Sequence, residues 1–339
     1  MKTGVSYFHT RDPEHAGRDL DDMVDHGCNF VVHCFSELDM AFYNQAMEKI
    51  IRMTKDRDME VYIDPWGLGG IFSGEAFSRF ISMHLDTRQI DSEEMSMPAA
   101  CPNNPKFREF QKKWIKLVSD MGADVCFWDE PHFYTNFRDR NSWGKKWSCR
   151  CNICKRLYQE KFKSEMPIEL TEEVKLFRQQ SVLDFLEDIC KESKKLKMRN
   201  CVCVLPDEGG KLSLAAGTNK WDDIVRIPTV DIFGTDPYWI LFEREIDDYV
   251  RSACRRVIDL CDQYKKEAQA WALAFLIPDG REDEVGQAID IMYETGIRNI
   301  AAWGYKACHF IDITCHNPEK VWDIIGKAFN RVRDLDQRN

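Results

Sequence analysis

The chain has 339 residues, 44% of them hydrophobic and 31% charged, with a formal net charge of -10. That length buries a large core, as one domain of barrel size or as two smaller ones. The acidic balance excludes a general nucleic-acid binder, because attraction to phosphates needs a basic surface, and no stretch reaches the ~20 apolar residues of a membrane-spanning helix.

Short apolar runs of strand type alternate with longer amphipathic runs about eight times. Strands are expected over 4–9, 29–35, 60–64, 124–128, 200–205, 230–234, 268–276 and 299–303. Helices are expected over 13–27, 39–55, 105–121, 171–195, 245–265, 282–294 and 318–334. Eight such rounds fill a single α/β domain, a (β/α)8 TIM barrel spanning 1–339. A doubly wound open sheet is the alternative. It lacks its phosphate loop, since Thr10-Arg11-Asp12-Pro13 follows the first strand where glycines would be needed. Two long insertions, about 71–104 and 131–170, follow the third and fourth strands. Loops at that end of a barrel carry its chemistry.

The strand ends supply the candidate residues. The first offers His9, the second Ser36 and Glu37, the third Asp64 and Trp66. The fourth offers Asp129, Glu130 and His132, and the fifth Asp207 and Glu208. The sixth offers Asp236, Tyr238 and Trp239, the seventh Asp279, and the eighth Trp303 and Tyr305. Acid beside aromatic recurs at the third, fourth and sixth. Aromatic faces stack on sugar rings, carboxylates bind paired hydroxyls, and two carboxylates divide acid and base roles in glycoside cleavage. A catalytic metal would need more histidines at these ends than His9 and His132, and no Gly-x-Ser-x-Gly elbow supports a serine triad. The expected ligand is a small saccharide or glycoside, with neither nucleic acid nor membrane as partner.

Fourteen cysteines and an N-terminus without a signal-peptide core fit a reducing, cytoplasmic setting. Cys34, Cys126, Cys201 and Cys203 fall in apolar runs and read as small core residues. Cys149, Cys151 and Cys154 differ: three thiols within six residues, in a polar, basic segment with little to pack against, can hold a metal.

The block that runs from Cys101-Pro102-Asn103-Asn104-Pro105 through Trp128-Asp129-Glu130-Pro131 to Cys149-x-Cys151-x2-Cys154 resembles the zinc-containing β-galactosidases of glycoside hydrolase family 42, in the clan of (β/α)8 retaining glycosidases. Cys101-Pro102-Asn103-Asn104-Pro105 looks like that family's Cys-Pro-x-x-Pro segment. Trp128-Asp129-Glu130-Pro131 stands in the place of its Asn-Glu pair, and Cys149-x-Cys151-x2-Cys154 closes the block. The resemblance implies a structural zinc on Cys101, Cys149, Cys151 and Cys154, and Glu130 as acid/base. Those relatives are often oligomeric, so a homo-oligomer is also expected. The chain departs from the pattern twice. Asp129 replaces the clan's Asn, and residues 270–279 hold no Glu where the strand-seven nucleophile belongs. β-Galactosidase activity is therefore not implied.

The second carboxylate is expected to be Asp236, with Asp279 next. Alternatively, Asp129 and Glu130 act as the pair of a substrate-assisted 2-acetamido-sugar hydrolase, in which Asp129 orients the acetamido group. A carbohydrate-binding barrel without catalysis is the competing class.

Overall fold

In the computed structural model, which describes residues 1–136, 140–143 and 145–338, the first strand pairs with the last. The strands are β1 (Lys2–Tyr7), β2 (Phe30–Cys34), β3 (Glu60–Asp64), β4 (Val125–Asp129), β5 (Arg199–Val204), β6 (Ile232–Thr235), β7 (Glu267–Leu273) and β8 (Asn299–Trp303). All run parallel in a closed barrel ordered β1-β8-β7-β6-β5-β4-β3-β2. Strands covered on both faces need no polar side, and β2 (Phe-Val-Val-His-Cys) is buried throughout. The sequence expectation of a TIM barrel thus holds, and the open sheet is excluded by closure.

Side chains alternate in and out along a strand, so every second residue fills the barrel in layers. At the N-terminal end Lys2, Glu60, Arg199 and Glu267, from alternate strands, form an ion network: Lys2 lies 2.7 Å from Glu60 and 3.4 Å from Glu267, and Arg199 reaches both acids. Two residues further along, Tyr62, Cys201 and Gln269 fill the next layer. Cys201 Sγ lies 3.2 Å from Gln269 Oε1, and Asn299 donates to Tyr62. Gly4 completes this layer because a Cβ there would lie 2.6 Å from the Phe30 ring. The same alternation places Asp64, Cys203 and Trp271 one layer higher, under the C-terminal mouth.

Helices cover the outside and begin at capping residues. Asp12 accepts from the backbone of Glu14 at 2.8 Å ahead of Pro13–Asp25, and Asn104 accepts from Lys106 at 3.0 Å ahead of Pro105–Asp120. The expected helix over 39–55 is two helices, Glu37–Phe42 and Asn44–Lys55. The break follows from Ser36 and Asp39, which form a capping box, and from Asn44, whose side chain donates to Met40 O at 2.9 Å. β1 and β7 end earlier than expected. After Leu273 the chain bonds once more to β8, Ala274 N to Trp303 O at 2.9 Å, then turns through Leu276 at φ 53°.

Both insertions are built segments. The first carries an antiparallel hairpin, Arg88–Ile90 with Ser96–Ala100, and the second a helix, Asn152–Phe162. Residues 137–139 and 144 of the second lie outside the described residues. The insertions bond to each other, Arg150 N to Ile90 O at 2.7 Å and Ser92 N to Trp147 O at 2.8 Å. Cys149 and Cys154 are consequently buried, against the expectation of a thinly packed segment. The first insertion is anchored to the barrel by Glu37. Its carboxylate accepts from Gly69 N at 2.8 Å, Ser78 Oγ at 2.6 Å and Phe80 N at 2.5 Å. Glu37→Ala strands three buried donors and is expected to lower stability by about 3 kcal/mol, read as a reduced urea midpoint.

Candidate active site

The C-terminal mouth holds a cavity of about 130 Å³. Asp129 and Glu130 reach it from β4, and Asp236 and Tyr238 from the end of β6. Trp271 lines it from β7, Phe275 from the turn after β7, and Trp303 from β8. Neighbours on a strand normally point to opposite faces, yet Asp129 and Glu130 share one cavity. Glu130 leaves the strand at φ 41°, a left-handed conformation that is strained for any residue but glycine. Its backbone is held there. Glu130 N donates to Cys203 O at 3.0 Å, and the His132 ring donates to Glu130 O. His132 is itself pinned by its own N–H to Ile71 O at 3.0 Å.

The first insertion supplies the rest of the rim. Ser73 N donates to Asp129 O at 3.1 Å, and Ser73 Oγ donates to the Glu130 carboxylate. Gly74, at φ 117°, lies against Trp66, where a Cβ would meet the indole at 2.0 Å. That close approach brings Glu75 over the cavity, where it accepts from Trp66 Nε1 at 2.9 Å. A row of rings backs the mouth: Trp66 on Phe8 at 5.1 Å, Phe8 on Trp303 at 5.8 Å, and Trp303 on Trp271 at 5.6 Å.

Glu130 and Asp236 line the same cavity and shift each other's titration. Burial pushes Asp236 well above the carboxylate range, and the charges of Glu130 and Asp129 add to it. Burial also raises Glu130, opposed by its hydrogen bonds with Ser73 and Asp236. Asp129 is raised by burial first, then by Asp64, Glu130 and Glu75. Asp64 sits beneath, wholly buried, with no hydrogen bond from a nitrogen or hydroxyl donor among the described residues. Burial raises it strongly, the Cys34 thiol beside it works against that, and Glu75 adds to it.

Five of the residues expected from the strand ends therefore meet at the cavity: Asp129, Glu130, Asp236, Tyr238 and Trp303. Asp64 and Trp66 lie directly around them. The others are turned elsewhere. His9 lies outside β1, between the Phe8 and Tyr305 rings, and burial lowers its pKa to about 4. His132 braces Glu130 from behind. Trp239, one residue past Tyr238, points the opposite way and donates to Glu284 at 2.6 Å. Tyr305 donates its hydroxyl to Asp22 at 2.8 Å. Asp279 is exposed and bonded by Asn317 at 3.0 Å. Ser73, Glu75, Cys203, Trp271 and Phe275 are cavity residues that the strand ends do not point to. Their signals are weak, the first two lying in an aperiodic loop and the others reading as core.

A second cluster joins the insertions. Cys101, Cys149, Cys151 and Cys154 bring their sulfurs within 4.8 Å of one another, an arrangement that could hold a metal ion. Cys101 lies 3.4 Å from Cys154 and 3.7 Å from Cys151. A tetrahedron with ~2.3 Å metal–sulfur arms has edges of about 3.8 Å. Asn103 Nδ2 and Cys151 N donate to the cluster, each at 3.4 Å. The buried Arg178 guanidinium is nearby. Burial lowers its pKa to about 9, and the thiols of Cys149 and Cys154 oppose that. It bonds Ser148 O and stacks over Phe133 at 4.9 Å.

No protein-family model matches the chain, and no curated protein matches it. Solved structures do. An endo-1,4-beta-mannanase from Rhizomucor miehei matches with TM-score 0.65 at 11% identity, covering 97% of this chain and 95% of that one. An endo-beta-1,4-mannanase from Thermotoga petrophila gives 0.60 at 11%, over 98% and 76%. The GH5_18 protein from Streptomyces cattleya, in complex with GlcNAc, gives 0.58 at 11%, over 98% and 80%. At these identities the likeness establishes a fold shared with (β/α)8 glycoside hydrolases. Among the described residues, no helix is long and apolar enough to cross a membrane.

Asp64 makes the mouth sensitive to pH. Its folded-state pKa is raised, so its contribution to stability is full below the unfolded value near ~3.9 and is lost as pH rises through the folded value. Asp64→Asn is expected to melt higher than the parent near neutrality, with the gap closing towards pH ~4. Melting curves of both proteins across that range check this.

Proposed function

We propose that the protein is a glycoside hydrolase acting on a small saccharide, with the barrel as its single domain. The observation that carries the reading is that Glu130 and Asp236 line one cavity walled by Trp271, Trp303 and Tyr238. Glu130, raised by burial, is the general acid that protonates the glycosidic oxygen. Asp236, which must first give up the proton that burial favours, attacks the anomeric carbon as the carboxylate, and the bond to the leaving oxygen breaks. Glu130 then deprotonates water, which hydrolyses the glycosyl ester and frees Asp236. A retaining pair stands about 5–5.5 Å apart and an inverting pair about 6.5–9.5 Å, so two acids lining one small cavity suit the nucleophile role better than a water-spaced pair. The indoles receive the apolar faces of the sugar.

A second reading has its own support. No hydrogen bond reaches the Asp129 carboxylate among the described residues, and β7 and the turn after it present Trp271 and Phe275 where a carboxylate nucleophile would stand. Both facts suit a 2-acetamido sugar whose own carbonyl attacks, with Asp129 orienting it.

Glu130→Gln is expected to lose about 10²–10⁴-fold in turnover on glycosides with poor leaving groups, and far less on activated aryl glycosides. Asp236→Ala is expected to abolish turnover and to be rescued by azide as a glycosyl azide. If Asp129→Ala is the crippling change instead, the substrate-assisted reading replaces this one. Sugar binding without turnover by the parent would make the barrel a binding protein.

The metal proposed for the four thiols is zinc, in the closed four-sulfur form of a structural site. The positive charge of Arg178 offsets part of the double negative charge of zinc with four thiolates. The resemblance to the zinc-containing β-galactosidases is proposed for this clip and not for their activity. All fourteen cysteines are unpaired, which supports a reducing, cytoplasmic setting. Protein purified without chelator is expected to carry about one zinc per chain. Cys151→Ser is expected to lower both metal content and melting temperature; unchanged values would remove the zinc assignment.

A further inference from the structure

We propose that the saccharide taken by this site carries a free, positively charged amino group, received by Asp129. The proposal deepens the glycosidase reading and rests on it.

Hydrolysis needs two carboxylates, and this cavity has four: Glu75, Asp129, Glu130 and Asp236. No lysine, arginine or histidine lines it among the described residues. The cations of neighbouring loops are engaged elsewhere. Arg11 is held by Asp39 and Cys34 O, Lys306 faces Asp19 and Asp22, and Arg281 pairs with Glu284. Independently of the acid count, Asp236 is only 8% exposed and lines the cavity, and among the described residues no nitrogen or hydroxyl donor meets its Oδ1. Such an oxygen is costly unless a proton or a ligand meets it. The remaining walls are aromatic, with Trp271, Trp303 and Tyr238 presenting rings. Carboxylates set among aromatic faces attract an ammonium twice, by charge and by the ring quadrupole.

The chemistry gives the charge a role. Like charges this close cannot all ionise, so without a counter-charge some of these acids keep their protons. Asp236 must nevertheless be ionised to attack while Glu130 keeps its proton. A neutral sugar brings no counter-charge, and an anionic sugar makes ionisation harder. An ammonium group supplies the missing positive charge, so Asp129 and Asp236 can ionise together. Asp129 is the receiver because it lines the cavity beside the acid Glu130 and, among the described residues, no hydrogen bond is made to its carboxylate.

The test is a panel of aryl glycosides that differ at one substituent, as free amine, acetamide, hydroxyl or uronic acid, in gluco, galacto and manno forms at pH ~6.5. The free amine is expected to show a KM about tenfold below that of the hydroxyl sugar, with the uronic acid the poorest. Raising salt is expected to narrow the gap. Asp129→Asn is expected to bring the amine-to-hydroxyl ratio of kcat/KM towards one. Calorimetry with glucosamine, galactosamine and mannosamine separates the two layers of the argument. Turnover of neutral or acetamido glycosides with no preference for the amine overturns this inference and leaves the glycosidase reading standing. Binding of an amino sugar in preference to its neutral parent, with no glycoside cleaved, supports the inference and overturns the glycosidase reading. Neither binding nor turnover overturns both.

Discussion

The pairing of β1 with β8 is the constraint on which everything else depends. Closure turns eight strand ends into one ring and fixes which residues face inward. The interior therefore has a polarity along its axis. Opposite charges neutralise one another at the N-terminal end, through Lys2, Glu60, Arg199 and Glu267. Acids of one sign collect at the other. The lower plug is a balanced network that closes the barrel, whereas the mouth is unbalanced by construction. An unbalanced end survives only where something else is gained from it, which is the physical case for function there.

Two devices hold the mouth against its own repulsion. One is backbone: Cys203 O, the His132 ring and Ser73 hold Glu130 in its left-handed turn, so that two consecutive acids can face the same space. The other is aromatic. The row from Trp66 to Trp271 lowers the exposure of the acids to water and gives the cavity a firm wall. Neither device alone would make a site. Together they present charge in a dry, shaped space, where electrostatic effects are strongest.

Much of this is legible in the sequence, for reasons that also explain where reading fails. β3 and β8 fall where the apolar runs place them, because a buried parallel strand leaves a continuous apolar signature. The strand ends locate Asp129, Asp236 and Trp303, since those positions share the inward parity of their strands. They cannot separate Tyr238 from Trp239, because parity beyond the last paired residue depends on a turn that no periodicity records. Asp279 belongs at the mouth only if β7 is longer than it is; the strand stops at Leu273 and the chain then swings outward. Ser73 and Glu75 leave no trace in the sequence, since their positions are set by the approach of Gly74 to Trp66 and not by any local pattern.

The thiol cluster has a consequence for the order in which the molecule assembles. Cys149, Cys151 and Cys154 are near neighbours along the chain and can gather around the proposed zinc before any barrel exists. Cys101 lies 53 residues from Cys154, on the far side of β4, and meets them once β4 has docked and both insertions have folded back. Closing a loop of that length costs entropy that local contacts do not repay. The fourth sulfur is thus a late arrival, and complete ligation would mark a chain whose β3-to-β4 region has reached its native arrangement. Until that sulfur arrives the two insertions lack their tether across β4, and once all four are together the rim of the mouth is tied on both sides of that strand.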